Sequence, residues 1–178
     1  MSARQGCCLS LFRYRQKGEN MQRLSLPNEV LLPEVEKLLA SGTCVTLRTK
    51  GNSMLPFIVG DRDCVTLEPV NNLHVGDIVL AHLSNGRYVL HRILSIKDKH
   101  ITLMGDGNIA GREYCLISDI CGKVKIILRN GKKAINPNTP FAQRKAFVWI
   151  KLLPVRRYLL AIYRRIYLRN IRFLNDGG

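Results

Sequence analysis

The feature that most constrains this fold is a series of short segments in which apolar and polar residues alternate, separated by turn-forming pairs. Alternation with a period of two is typical of β-strands that bury one face. The alternating segments lie at 43–50, 64–68, 77–83, 87–97, 100–104 and 122–129. Pairs containing Gly, Asn or Asp separate them at 60–61, 76–77, 85–86, 106–107 and 130–131. This pattern predicts a mainly β, antiparallel domain over about residues 43–130.

Helical patterns lie on both sides of this β region. Residues 28–40 favour a short helix that Asn28 can cap, and the helix should end before Gly42. Near the C-terminus, large aliphatic residues repeat at steps of three and four, which places them on one helix face: Val148, Leu152, Val155, Leu159, Ile162 and Ile166. Four arginines fall off that face: Arg156, Arg157, Arg164 and Arg165. We expect Pro154 to kink this helix or to begin a second one.

The positive charge of the chain is concentrated at its C-terminal end. Lys and Arg number 28 against 13 Asp and Glu, which gives a net charge of +15. Residues 1–122 contain 14 basic and 12 acidic side chains, whereas residues 123–178 contain 14 and one. We therefore predict a disordered arm or upstream extension at 1–27, a β domain with its leading helix at 28–135, and a linker with a basic amphipathic helical tail at 136–178.

Composition excludes several classes of protein. The longest stretches without a charged residue are ten residues long, at 38–47, 51–60 and 134–143, and a membrane-spanning helix needs about 20. The N-terminal residues do not have the pattern of a secretory signal peptide, which favours a cytoplasmic location. The six cysteines form no CxxC pair and no zinc-like spacing with histidine. We therefore expect free thiols, no metal site and no cofactor.

Motifs in a fixed order point to a family. Gly-Asn-Ser-Met-Leu-Pro at 51–56 places a serine just after a predicted strand. Further motifs follow: Gly-Asp-Arg-Asp at 60–63, Val-Gly-Asp-Ile-Val at 75–79, Tyr-Val-Leu-His-Arg-Ile at 88–93 and Met-Gly-Asp-Gly-Asn at 104–108. Together they resemble the signal peptidase I and SOS-repressor superfamily of serine peptidases, over about residues 43–129. His91 stands where the bacterial branch has lysine, which is similar to the endoplasmic-reticulum and archaeal type. The resemblance implies a signal-peptidase-like β domain with Ser–His catalysis.

The chemistry of the residues agrees with that resemblance. A serine hydroxyl is a poor nucleophile until a neighbouring base accepts its proton. Imidazole titrates near pH 6.5, so most of it is available as a base at neutral pH. We therefore predict Ser53 as the nucleophile and His91 as the general base. Backbone N–H groups around Ser53 are the expected donors to the oxyanion.

The acid that orients the histidine stays open among several residues. Histidine-type relatives carry an aspartate a few residues beyond their Gly-Asp-Asn-Asn motif, where this chain has Ile-Ala-Gly-Arg-Glu at 109–113. Asp106 and Glu113 are the favoured candidates, and Asp119 is a third. A carboxylate of either length can hold one imidazole tautomer. The other histidines lie in no matching motif and are expected at the surface: His74, His82 and His100.

Three functions follow from these observations. The leading one is a serine endopeptidase that cleaves a peptide or leader segment by acyl transfer. The alternatives are an inactive peptidase fold that serves as a peptide-binding or scaffold module, and a nucleic-acid-associated regulator that cleaves itself. The basic tail can contact an anionic membrane from the cytoplasmic side, pack on the β domain or a partner, or bind nucleic acid. Its interleaved aliphatic residues favour the membrane and disfavour nucleic acid.

Overall fold

The computed structural model describes residues 10–12, 23–24, 28–130 and 133–175. Within these residues, ten strands form one antiparallel sheet. The strands are β1 Ser10–Phe12, β2 Arg23–Leu24, β3 Val45–Arg48, β4 Asp63–Glu68, β5 Ile78–His82, β6 Tyr88–Lys97, β7 His100–Met104, β8 Glu113–Leu116, β9 Ile120–Arg129 and β10 Lys133–Ile135. Their order in the sheet is β2-β1-β3-β4-β9-β5-β6-β7-β8, and β10 pairs with β9. The predicted mainly β, antiparallel fold is confirmed.

Three helices complete the described fold: α1 Asn28–Ala40, α2 Pro140–Lys151 and α3 Leu153–Asn175. The side chain of Thr139 caps α2 by accepting a hydrogen bond from the backbone N–H of Ala142. Pro140 follows at the first helical position, where its missing N–H costs nothing. The tail is therefore two helices joined at Leu152, and Pro154 stands in the first turn of the second, as expected.

Residues 1–27 contain two short strands. β1 pairs with β3, and β2 pairs with β1, so this part of the chain extends one edge of the sheet. The sequence assigns the whole segment to a disordered arm, and its remaining residues lie outside the described part of the chain. The alternation that predicts the other strands is not visible in two segments of two and three residues.

The sheet buries apolar side chains on both faces. Helix α1 covers one face with Leu31, Val35 and Leu39, which pack in a cluster with Leu47 and Leu80. A second cluster lies on the other face and includes Val79, Ala81, Ile93 and Leu103. Successive residues of the central strand β5 therefore enter the two clusters in turn, which explains why its run Ile-Val-Leu-Ala is entirely apolar. Both faces being packed, the strands at the site are held rigidly in register.

Candidate active site

Ser53 lies on the loop that joins β3 to β4. Backbone hydrogen bonds close the base of this loop: Thr49 N donates to the carbonyl of Asp63 at 3.1 Å, and Asp61 N donates to the carbonyl of Thr49 at 2.7 Å. Within the loop, Ile58 N donates to the carbonyl of Met54 at 2.9 Å, which forms a helical turn just after the serine. The loop is therefore a closed structure that presents Ser53 at a defined position.

Two glycines allow the loop to close. Gly60 N donates to the carbonyl of Gly51 at 3.1 Å, and Gly51 has a φ of +82°. A Cβ on Gly60 would lie 2.8 Å from the carbonyl carbon of Lys50 and nearer still to the backbone of Gly51. A side chain at Gly60 is incompatible with this contact, and the positive φ of Gly51 is one that residues with a side chain rarely adopt. The glycine that opens the Gly-Asn-Ser-Met-Leu-Pro motif thus has a structural role beside the nucleophile.

His91 and Glu113 point to the same face of the sheet. The register pairs Ile93 on β6 with Leu103 on β7, and Leu103 with Glu113 on β8. Because side chains alternate along a strand, His91 shares a face with Ile93, two residues away. Nδ1 of His91 is hydrogen-bonded to Oε2 of Glu113, and His91 is 5 % exposed. The carboxylate therefore fixes the imidazole with its other nitrogen, Nε2, available on the opposite side of the ring.

Nε2 of His91 and the serine loop both lie against Gly105. A Cβ placed on Gly105 would lie 3.0 Å from His91 Nε2 and closer still to the carbonyl oxygen of Ser53. The next turn is tied to the serine directly, since Gly107 N donates to that carbonyl oxygen at 2.7 Å. Gly105, which has no side chain, leaves the space in which Nε2 and the Ser53 segment approach each other.

The electrostatics of the pair favour an ionised carboxylate. Burial would by itself raise the pKa of Glu113, but its hydrogen bond to His91 and the attraction of the imidazole lower it below the ordinary value. Arg87, whose guanidinium lies 3.5 Å from the other carboxylate oxygen, acts in the same direction. Glu113 is therefore a charged acceptor that holds the proton of His91 on Nδ1.

The second favoured acid, Asp106, does not contact His91. Its carboxylate receives the guanidinium of Arg92, with Nε at 2.8 Å and Nη2 at 2.7 Å, and both side chains are almost fully buried. Arg92 follows His91 on β6, so it points to the opposite face of the sheet and takes Asp106 with it. No hydrogen bond joins Asp106 to His91, and the carboxylate instead holds the turn at 105–108 to Arg92. That Asp106 orients the base stays a prediction that this pairing does not favour.

The remaining candidates lie away from the serine. Asp119 accepts a hydrogen bond from the backbone N–H of Leu116 at 2.7 Å and so stabilises the short 3-10 turn Ile117–Asp119. His74 and His100 are exposed, and His82 stacks on the ring of Tyr88 with their centroids 4.1 Å apart. The structure joins His91 to Glu113, and the Ser53 backbone and His91 Nε2 both border Gly105.

The tail supplies two side chains to the turn at 105–108 that sequence reasoning did not identify. Trp149 on α2 donates its Nε1–H to the carbonyl of Asp106 at 2.9 Å. Arg156 on α3 is 1 % exposed and donates to the carbonyls of Asn108 at 3.2 Å and Trp149 at 2.9 Å. The helical pattern placed Arg156 off the apolar stripe but gave no sign that it is buried.

An antiparallel sheet that holds a carboxylate-paired histidine next to a loop serine is the architecture of a serine-peptidase-like domain. A family model described as "Peptidase S24-like" matches residues 12–125, and the chain belongs to this family. Membership supports a serine peptidase or a self-cleaving fold in general. No curated protein matches the chain.

The family match ends before α2 and α3, so both tail helices lie outside the matched region. Among the described residues, neither tail helix nor α1 has the length and apolar character needed to cross a membrane.

Proposed function

We propose that this protein is a serine endopeptidase in which Ser53 is the nucleophile, His91 the general base and Glu113 the residue that orients the base. The observation that carries the proposal is the position of His91, whose Nδ1 is bonded to Glu113 while its Nε2 borders the Ser53 segment at Gly105. Acyl transfer by a serine hydroxyl needs a base held in this way, with its second nitrogen turned toward the serine.

In the first half of the reaction, the Ser53 hydroxyl attacks the carbonyl carbon of the scissile bond and its proton passes to His91 Nε2. The charged Glu113 stabilises the imidazolium that forms. His91 then returns the proton to the leaving amine as the C–N bond breaks, which leaves an acyl ester on Ser53.

In the second half, His91 removes a proton from a water molecule that attacks the ester. The proton returns to the serine oxygen as the acid product departs, so the enzyme regains its starting state. The closed Ser53 loop and the turn at 105–108 supply the fixed geometry that such a reaction needs. The substrate we propose is a peptide or leader segment with small side chains before the scissile bond, as the resemblance implies.

A fluorophosphonate probe, which phosphonylates activated serine hydroxyls, tests the site without knowledge of the substrate. We expect labelling of the native chain at Ser53, and its loss in Ser53→Ala and His91→Ala. Ser118→Ala is the matched control, because Ser118 is an exposed serine on the 3-10 turn. Labelling that persists in Ser53→Ala would refute the assignment.

A second measurement separates cleavage of other chains from self-cleavage. The purified chain is incubated alone and with a library of leader-like peptides, and the products are identified by mass spectrometry. Cleavage of peptides that depends on Ser53 supports the endopeptidase. Cuts confined to the chain itself support the self-cleaving alternative, and peptide binding by a chain that no probe labels supports the inactive binding module.

A further inference from the structure

The two tail helices have one face that packs against the β domain. Leu160 and Tyr163 on α3 lie in a small apolar cluster with Trp149 of α2 and with Leu55 and Val59 of the serine loop. These residues and the buried Arg156 follow helical spacing along α3, so they form a single docked face. The docked face accounts for one side of the tail, and the rest of its surface is not covered by any other residue that the structure describes.

The aliphatic stripe that the sequence singled out lies on the uncovered side. Val155, Leu159, Ile162 and Ile166 of α3 are between 38 % and 60 % exposed. At 3.6 residues per turn, this stripe is rotated about a quarter of a turn from the docked face. Helix α2 adds further exposed apolar side chains: Phe141, Phe147 and Val148. Such a concentration of exposed apolar side chains is unusual on a soluble surface and indicates an interaction site.

The exposed surface of the two tail helices is also strongly basic. The sequence from 140 to 175 contains nine Lys and Arg and no acidic residue. Those exposed on the described part of the tail are Arg144, Lys145, Lys151, Arg157, Arg164 and Arg165. Two of them lie over aromatic rings, with Lys145 Nζ 4.3 Å from the centroid of Phe141 and Lys151 Nζ 5.3 Å from that of Phe147. On α2 the cations therefore lie among the exposed aromatic side chains. On α3, Arg165 lies about a quarter of a turn from the aliphatic stripe, and Arg157 and Arg164 lie on the opposite side of the helix from it.

We propose that this surface, the uncovered face of α2 and α3, binds an anionic lipid bilayer and holds the peptidase domain at the membrane surface. A bilayer interface accepts both features at once, because aliphatic and aromatic side chains enter the acyl boundary while Lys and Arg extend to the phosphates. A nucleic acid offers the phosphates but gives no reason for the exposed aliphatic line.

The geometry allows the tail to bind lipid without leaving the β domain. The docked face keeps Trp149 and Arg156 on the turn at 105–108, while the stripe lies to one side of it and stays exposed. The orientation of the serine loop relative to the bilayer is then fixed through a rigid helix. This inference does not depend on the proposed chemistry, since a chain without an active serine would bind lipid equally well.

Vesicle flotation of the full chain tests the surface. Vesicles of phosphatidylcholine mixed with phosphatidylglycerol are compared with vesicles of phosphatidylcholine alone. We expect binding to the anionic vesicles, and a loss of about fivefold in affinity for each charge removed in Lys145→Gln and Lys151→Gln, the two lysines beside exposed aromatic rings. Val155→Ser and Ile162→Ser should each weaken binding about tenfold, because they remove apolar groups that enter the interface.

Matched controls distinguish binding through this surface from non-specific binding to vesicles. Val30→Ser replaces a valine of similar exposure on α1 and should leave vesicle binding unchanged. Ser53→Ala should also bind vesicles fully, so that a failed peptidase assay and a failed vesicle assay are told apart. Two outcomes would overturn the proposal: salt-dependent binding to duplex DNA with no vesicle binding, or a dimer that depends on Val155 and Ile162 and does not bind vesicles.

Discussion

The Nδ1 atom of His91 on β6 is hydrogen-bonded to the carboxylate of Glu113 on β8, two strands away and 22 residues later in the chain. The intervening strand β7 ends at Met104, and Gly105, the next residue, lies against Nε2 on the other side of the same ring. The pair therefore depends on three strands in register, and its disruption should affect catalysis before it affects the fold.

Replacing Glu113 with Gln is the first prediction. The amide retains the shape but loses the charge that stabilises the imidazolium, so we expect kcat for peptide cleavage to fall by about 10²–10⁴-fold with a smaller change in KM. Asp119→Asn is the control, because that carboxylate accepts a hydrogen bond within the 3-10 turn and makes none with His91. Equal losses in the two variants would argue against a catalytic role for Glu113.

The dependence of the free energy of unfolding on pH below neutrality gives a second prediction. The pKa of Glu113 is lower in the folded chain than its ordinary value of 4.5, through His91 and Arg87 and despite burial. A depressed carboxyl pKa stabilises the fold fully above the ordinary value, and this contribution is lost as pH falls below it. Urea unfolding from pH 7 to pH 3 should show the wild type and Glu113→Gln converging at the acid end. A difference that stays constant over this range would contradict the prediction.

Sequence periodicity predicted most of the sheet because its strands are long enough to show alternation. β7 was predicted at its observed bounds and β6 to within one residue. β8, with only four residues, follows a loop and could not be distinguished from it by period, and so Glu113 appeared as a loop residue. That is why the sequence could not separate Glu113 from Asp106 as the acid.

The sequence could not show the pairing of Asp106 with Arg92 or the burial of Arg156, and the reason is different. Both depend on which face of an element meets another element far along the chain. An arginine beside an aliphatic stripe normally remains in solvent, and here Arg156 is buried because the carbonyls of Asn108 and Trp149 accept its N–H groups. No local pattern contains that information.

A third prediction concerns the space at Gly105. In Gly105→Ala the added methyl group would meet the Ser53 carbonyl and His91 Nε2. We expect phosphonylation of Ser53 to be lost at temperatures where the variant is still folded, with a fall in unfolding free energy of about 1–3 kcal/mol. Gly111→Ala is the matched control in the same loop, since its nearest neighbour would be 3.8 Å away. Retained labelling in Gly105→Ala would show that this space is not required.

The buried pair of Arg92 and Asp106 gives a fourth prediction. Asp106→Asn removes the charge that balances a buried guanidinium, so the free energy of unfolding should fall by about 3–5 kcal/mol. The double change Arg92→Met with Asp106→Leu should recover part of that loss, because no charge is then left unpaired. Glu34→Gln, which breaks an exposed ion pair with Lys37, should change little in urea unfolding. A double variant no more stable than Asp106→Asn would refute the charge-based explanation.

The fifth prediction tests whether the tail supports the site through Arg156. Arg156→Met keeps most of the side-chain volume but removes the donors to the carbonyls of Asn108 and Trp149, so about 2–4 kcal/mol of unfolding free energy should be lost. Because the turn at 105–108 also holds the Ser53 carbonyl, the rate of Ser53 phosphonylation should fall more than the folded fraction does. Arg157→Met, an exposed neighbour, controls for the loss of charge. If both variants labelled at the wild-type rate while only Arg156→Met lost stability, Arg156 would hold the tail to the domain without positioning the serine.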